Sequence, residues 1–285
     1  LTLRVAIEVG ERGGATRVAV EGEGSREISG GRGNRVLEAL ETGLAERRVD
    51  LAGLPGVTIA MANEIPLARG LGSSGAATVA GLLAADALAG VETEGPNAGE
   101  WRSRLLDRAT ALEGHSDNVA PALLGGFVAS LAPRAFRFDA PPELRIVLLI
   151  PELRLSTPRM RTLLPDSVPR SDAVANLARV AIGVAGAASG DWSVLARLTE
   201  DRLHEPYRAA VYTQLPLLVD AARRAGALGA CLAGGGSTVA AFTLGSEAEA
   251  AHIGEQMLAA ATASGLPATV RQSAPRNAGA RVLEA

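Results

Sequence analysis

The chain of 285 residues is long enough for one large or two modest domains, and 47% hydrophobic with 21% charged residues is ordinary globular composition. A net charge of −3 gives no broad attraction to nucleic acid or an anionic membrane, and 3% aromatics leave few stacking faces for single-stranded nucleic acid. Every basic residue is arginine, which excludes a lysine base, a Schiff base and a P-loop lysine; the single cysteine, Cys231, excludes an intrachain disulfide and a cysteine-rich zinc site.

No apolar run reaches transmembrane length and no secretory signal stands at the start, so a soluble cytoplasmic protein is expected. Residues 1–9 and 16–22 alternate apolar and polar around a glycine-rich turn and predict a β-hairpin. Val36, Leu37, Leu40 and Leu44 have helical spacing within 34–47, and 57–62 reads as a strand.

There follows the stretch around which the chain is organised, Pro66-Leu67-Ala68-Arg69-Gly70-Leu71-Gly72-Ser73-Ser74-Gly75, and then a small-residue helix to Ala89. Glycines let backbone N–H groups approach a phosphate closely, and a helix start adds unpaired donors and partial positive charge. Ser73 and Ser74 add hydroxyls that can cap the helix or reach a metal ion. Alone, the stretch is equally a glycine turn before a serine-capped helix. Its spacing is not Gly-x-Gly-x-x-Gly, so a dinucleotide fingerprint is not met. Any phosphate held here must be held by backbone, hydroxyls and arginine.

Residues 99–112 read as an amphipathic helix with Trp101, Leu105, Leu106 and Leu112 on one side. Glu113-Gly114-His115-Ser116-Asp117-Asn118 packs carboxylates, an imidazole and an amide into six residues, either a polar turn or part of a site. Apolar strands are expected at 127–131 and 145–150, with prolines marking turns between them. Beyond Pro151 the pattern shifts to helices at 170–188, 191–200 and 215–225. A strand, glycine turn and strand over 226–242, a helix at 246–264 and a strand at 267–272 complete the chain. The order predicts an α+β fold of two lobes, 1–150 and 151–285.

Three ordered stretches resemble the GHMP kinases: the Gly-Leu-Gly-Ser-Ser loop, Asp117-Asn118-Val119-Ala120-Pro121, and the late glycine-rich hairpin. Within that superfamily EGHSDNVAPALLGGF, STPRMRTLLP, DRLHEPYR and GALGACLAGGGSTVAAF are similar to the homoserine kinase family, across nearly the whole chain. The resemblance implies a ribosomal-protein-like β/α N-terminal lobe and a ferredoxin-like C-terminal lobe. ATP and Mg2+ would lie in a cleft, and the γ-phosphoryl group would pass to the side-chain hydroxyl of L-homoserine, a step of threonine biosynthesis. It implies a nucleotide cradle of Pro66, Arg69, Gly70, Leu71, Gly72, Ser73, Ser74 and Gly75, approached by the hairpin at Gly234, Gly235 and Gly236. Ser74 and Glu113 would hold magnesium, with Asp107 a second candidate carboxylate. His115 and Asn118 would line the amino-acid site; Asn118 stands where related kinases carry a base aspartate, which fits transfer by positioning without a strong base. Asp117 is an alternative base. Arg161 and Arg208 would take the homoserine carboxylate through planar two-bond contacts, with His204 and Tyr207 on the same wall. His252 reads as plain surface and Cys231 as a small apolar residue. A homodimer follows from the resemblance alone, while partners among nucleic acids or membranes are not expected.

The match has gaps. The family's first motif, an Ala-Thr-Ser-Ala-Asn-Leu-Gly-Pro-Gly-Phe-Asp-like segment, has no counterpart before Leu1, so a truncated gene is expected rather than an evolved short form. Ser116 stands where proline is usual, and Ala233 and Ser237 replace a serine and a proline of the usual hairpin turn. Two alternatives stay open: a GHMP kinase for another small carboxylate-bearing alcohol, or a catalytically impaired nucleotide-binding paralogue.

Overall fold

The computed structural model describes residues 1–10, 17–28, 33–51, 56–93, 95–155 and 157–283. They form two compact units. The first contains Leu1–Leu67, Gly72–Arg137 and Asn277–Ala285; the second contains Ala68–Leu71 and Phe138–Arg276.

The first unit begins with β1 (Leu3–Val9), β2 (Arg17–Gly22), α1 (Arg35–Glu46) and β3 (Val57–Asn63). The sheet order is β1-β3-β2, with β3 antiparallel to β1 and parallel to β2. The predicted hairpin therefore does not form: both strands exist, but they flank β3 on opposite sides, and the expected turn lies outside the described residues. β3 takes the middle because Val57, Ile59 and Met61 supply a fully buried face, whereas β1 and β2 bury their apolar side chains only in part.

Two helices cover this sheet, α1 and α2 (Ser73–Leu88). Asn34 starts α1, its Oδ1 accepting from the N–H groups of Val36 (3.1 Å) and Leu37 (3.3 Å). Close approach of the pair is set by Gly81, where a Cβ would lie 2.4 Å from the Val36 carbonyl oxygen. After them come α3 (Ala98–Glu113), α4 (Val119–Leu124), β4 (Phe127–Leu131) and β5 (Arg134–Phe138), the last two pairing as a ribbon. The fully buried Asp86 of α2 ties three helices together. It accepts from Arg47 at 3.1 Å, from Arg108 at 2.9 Å and from Trp101 Nε1 at 3.0 Å, so a charge that would be costly alone is compensated on every side. The C-terminal segment returns to this unit, with Ala280 N–H donating to the Leu123 carbonyl at 3.1 Å.

In the second unit β6 (Arg145–Pro151) lies centrally in an antiparallel sheet of order β7-β8-β6-β9, with β7 (Gly229–Leu232), β8 (Val239–Thr243) and β9 (Ala268–Ser273). The sequence reading divides the chain into 1–150 and 151–285; the units observed differ in three places, since 138–150 with β6 and Ala68–Leu71 lie in the second unit and Asn277–Ala285 in the first. β6 goes with the second unit because it is hydrogen-bonded to both β8 and β9. Helices α9 (Leu215–Arg224) and α10 (Glu247–Ala263) cover one face, packing Leu218, Ile253 and Met257 against Val147, Leu149, Val239 and Ala241. The other face carries Leu148, Ile150 and Ala240, with Leu71 packed on them. Three short helices were not predicted as such: α4, α5 (Thr157–Thr162) and α8 (Glu205–Arg208). Between α6 (Arg170–Ser189) and α8, the predicted helix over 191–200 forms only a 3₁₀ turn at Trp192–Val194 and α7 (Leu195–Leu198). Asp191 caps that turn by accepting the Ser193 N–H at 3.1 Å.

Candidate active site

The glycine stretch is shared between the units, and each part is held by its own unit. Ala68–Leu71 belong to the second. Arg69 donates from Nε to the Pro151 carbonyl at 2.8 Å and from Nη2 to the Glu152 carbonyl at 3.0 Å, so it fastens the loop to the end of β6. Its own carbonyl accepts the Thr238 N–H at 3.2 Å. Gly70 has φ +75°, and a Cβ there would fall 1.9 Å from the Ala233 carbonyl oxygen. Gly234 approaches Gly70 from the other side, a Cβ on it reaching 3.0 Å from the Gly70 oxygen. The glycine loop and the β7–β8 hairpin, which includes the half-buried Gly235, thus meet backbone to backbone. Pro66, at the loop's entry, is buried.

Gly72, Ser73, Ser74 and Gly75 open α2 in the first unit. Gly72 is the N-cap in the left-handed conformation (φ 74°), and no side chain caps the helix. Neither serine performs the capping role that a plain turn-and-helix would need, and the first-turn N–H groups are left available to an anion. Ser74 instead donates to Glu113 Oε1 at 2.9 Å. The same oxygen accepts from Thr78 Oγ1 at 2.7 Å and pairs with Arg35 Nε at 3.3 Å. The Glu113 side chain is only 5% exposed, at the C-terminal end of α3. Asp107, the second candidate carboxylate, is exposed on α3. Neither Thr78 nor Arg35 was singled out from sequence; the available signal was spacing, since Ser74 and Thr78 stand four apart and share one face of α2.

Asn118 packs on the same helix start. A Cβ on Gly72 would meet Asn118 Oδ1 at 3.3 Å, and one on Gly75 would meet Asn118 Cβ at 3.0 Å. His115 Nδ1 lies 2.6 Å from Asp117 Oδ1, out of line for a hydrogen bond, and Asp117 also accepts from Asn118 Nδ2 at 3.4 Å. Ser116, in the usual proline position, accepts from Ser130 Oγ at 3.0 Å and so ties this turn to β4.

In the second unit Arg208 ends α8 and donates from Nη1 to the Gly234 carbonyl at 2.7 Å; its Nε is buried without a partner. Burial lowers its pKa, the carboxylates of Asp201 and Glu205 oppose that, and the positive charge of Arg161 adds to it. Arg161, exposed on α5, is therefore within electrostatic reach of Arg208. α8 is held by Asp201, which accepts the N–H groups of Leu203 (3.1 Å), His204 (2.6 Å) and Glu205 (2.6 Å) and the Asn176 amide (2.8 Å). Burial would raise the Asp201 pKa, but these bonds and the His204 ring outweigh it and hold the carboxyl well below the usual carboxylate range. Glu205 is shifted the other way, upward, mainly by burial, although it accepts the Leu232 N–H. His204 is bound to Asp201 through its ring (3.3 Å), Tyr207 is half-buried beside it in sequence, and His252 is exposed. Burial pushes the Cys231 thiol up to about 12, which makes it inert. In the hairpin, Ser237 Oγ donates to the Leu153 carbonyl, so the serine that replaces the usual proline holds the turn by a bond.

The family model for the GHMP kinases N terminal domain matches residues 34–126, and that for the GHMP kinases C terminal matches residues 176–262. The chain belongs to the GHMP kinases, ATP-dependent phosphotransferases. Homoserine kinase of Moorella thermoacetica is 39% identical over 279 residues, covering 96% of this chain and 89% of that one. Homoserine kinase of Thermus thermophilus is 41% identical over 229 residues, 80% of this chain and 74% of that one. The crystal structure of homoserine kinase from Cytophaga hutchinsonii superposes with a TM-score of 0.79 at 28% identity, over 97% of this chain and 86% of that one. Within the superfamily the chain therefore falls in the homoserine kinase family. The same fold, at 17% identity and a TM-score of 0.67, is found in a mevalonate kinase of L. major.

Proposed function

We propose that the protein transfers the γ-phosphoryl group of ATP to the side-chain hydroxyl of L-homoserine, yielding O-phospho-L-homoserine and ADP for threonine biosynthesis. The observation that carries the kinase chemistry is the uncapped start of α2 with Ser74 bonded to the buried Glu113. Relatives named homoserine kinase, at about 40% identity over most of the chain, supply the substrate.

Backbone N–H groups from Gly70 to Gly75 hold the triphosphate, with Gly235 and its neighbours closing on the loop. Ser74 and Glu113 fit a hard cation: both offer oxygen, and the Ser74 proton is engaged by Glu113, which leaves the hydroxyl lone pairs free. Magnesium bound there neutralises charge on the phosphates. One hydroxyl and one carboxylate suffice, because magnesium takes its remaining ligands from phosphate and water. Arg208 and Arg161 bind the homoserine carboxylate, and an arriving anion relieves the repulsion between them. His115 and Asn118 line the amino-acid site, and Asn118 fixes the hydroxyl without removing its proton. As oxygen attacks Pγ the bond to the β-phosphate oxygen breaks, and the proton passes late to a phosphoryl oxygen. A loose transition state needs positioning and charge stabilisation more than a base.

No helix among the described residues is long and apolar enough to cross a membrane. The protein is taken to act in the cytoplasm, as a homodimer, on homoserine and ATP. The test is ADP release with homoserine, mevalonate or galactose as acceptor. Homoserine-dependent release supports the reading. ATP binding without it assigns an impaired paralogue, and release with another acceptor alone assigns a different alcohol.

A further inference from the structure

Two hydroxyl donors and an ion pair converge on one oxygen of Glu113 and none of them on the other. Ser74, Thr78 and Arg35 all meet Oε1, at 2.9, 2.7 and 3.3 Å, while among the described residues Oε2 has no partner and is not sealed in. A carboxylate with both oxygens free rotates about its last bond; one whose first oxygen is saturated presents its second in a fixed direction. We propose that Thr78 is the positioning residue of this site. Its hydroxyl, with Arg35, locks the Glu113 carboxylate so that Oε2 is presented to the cation held by Ser74. This rests on the kinase reading above and extends it to a residue that touches neither nucleotide nor amino acid.

Thr78 suits the task in three ways. It is fully buried, so its hydroxyl has no water to compete for. It stands one helical turn beyond Ser74, so both hydroxyls face α3 together. As a β-branched residue in a helix it has few rotamers, which fixes the donor before the carboxylate arrives. Arg35 supplies the charge: its Nη1 pairs with Glu38 at 3.3 Å, which aims Nε at Glu113. A packing role alone would be served by any small residue at position 78, whereas an aimed carboxylate requires a hydroxyl.

The test is Mn2+ binding to the protein with a non-hydrolysable ATP analogue, followed by electron paramagnetic resonance, in the full chain and in Thr78→Val, Thr78→Ser, Thr78→Ala and Glu113→Gln. Loss of an outer-shell partner weakens metal binding by about 10–100-fold. Thr78→Val and Thr78→Ala are expected to raise the Mn2+ dissociation constant by about tenfold or more. Thr78→Ser restores it, and analogue binding in EDTA stays unchanged throughout. If Thr78→Val does not fold, serine near wild-type affinity with alanine weakened supports the inference; serine and alanine alike overturns it. Wild-type Mn2+ affinity in Thr78→Val or Thr78→Ala, with Glu113→Gln weakened, overturns this inference and leaves the kinase reading intact. Wild-type affinity in Glu113→Gln removes the metal assignment on which both rest, and absence of homoserine-dependent ADP release from the wild type overturns the function independently of Thr78.

Discussion

Arg208 and Asp201 show how one side chain's chemistry depends on its neighbour. Arg208 is partly desolvated and faces the charge of Arg161, so its gain on meeting a carboxylate is larger than for an arginine in water. If Arg208 binds the homoserine carboxylate as proposed, replacing it removes a charge-assisted contact of ~1.5–3 kcal/mol. Arg208→Ala is expected to raise the homoserine KM about 10–100-fold while leaving the ATP KM within a few fold. Steady-state kinetics with each substrate varied in turn checks this, and an unchanged homoserine KM would remove Arg208 from the amino-acid site. Asp201 acts through structure instead. Its folded pKa lies below the unfolded value, so its bonds stabilise the fold fully above about pH 4, and that stability is lost as pH falls further towards the folded pKa. Asp201→Asn should therefore be destabilised near neutral pH, and the gap to wild type should shrink as pH drops from about 7 to about 3. Urea unfolding across that range reads the gap; a constant difference would contradict the assignment. Glu205 has the opposite sign, since its raised pKa makes the ionised form a net cost that protonation relieves.

At the scale of elements, close contacts decide what periodicity cannot. The glycine loop, the helices over 73–88 and 170–189 and the late strand–turn–strand were readable, because long apolar patterns and Gly-Ser punctuation are local signals. The β1–β3–β2 order was not, because it pairs residues some forty to sixty positions apart, and alternation in β1 and β2 reports a half-buried face without naming the neighbour. Four-residue helices such as α8 are likewise invisible: Glu205–Arg208 is helical because Asp201 takes its leading N–H groups, not because of its own pattern. In the candidate site, Ser74, Glu113 and Asn118 are named from motif; Thr78 has only its four-residue spacing from Ser74 as a sequence signal, and Arg35 emerges from packing of α1 beside α2 and α3. Two substitutions probe such packing. Gly70→Ala puts a methyl group onto the Ala233 carbonyl at a left-handed position, and is expected to raise the ATP KM about tenfold or more by parting loop and hairpin. An unchanged KM would mean that the contact is not needed for nucleotide binding. Asp86→Ala takes the buried acceptor from Trp101 Nε1 and Arg108 Nη1 and the ion pair from the part-exposed Arg47, at ~3–5 kcal/mol, and should lower the urea midpoint sharply. A midpoint within error of wild type would show the three-helix tie to be dispensable.

For the molecule as a whole, architecture and specificity have separate sources. The fold is shared at low identity with mevalonate kinase and with a galactokinase of Lactococcus lactis (TM-score 0.66), so it cannot itself select an acceptor. Galactose carries no carboxylate, so a pair of arginines brings it no advantage, whereas homoserine has a carboxylate that Arg161 and Arg208 would bind in the function proposed above. Mevalonate also carries a carboxylate but lacks the α-ammonium group, so discrimination against it must come from the remaining wall of the site. Two losses of ~1.5–3 kcal/mol each correspond to about 10²–10⁴ in kcat/KM. The wild type is therefore expected to prefer homoserine over galactose by at least about a hundredfold, and Arg161→Ala/Arg208→Ala to lose most of that preference by lowering activity on homoserine alone. Parallel kcat/KM measurements on homoserine, mevalonate and galactose decide it. A double variant that keeps the wild-type ratio would move substrate selection away from the guanidinium pair and onto the first unit, to His115 and Asn118.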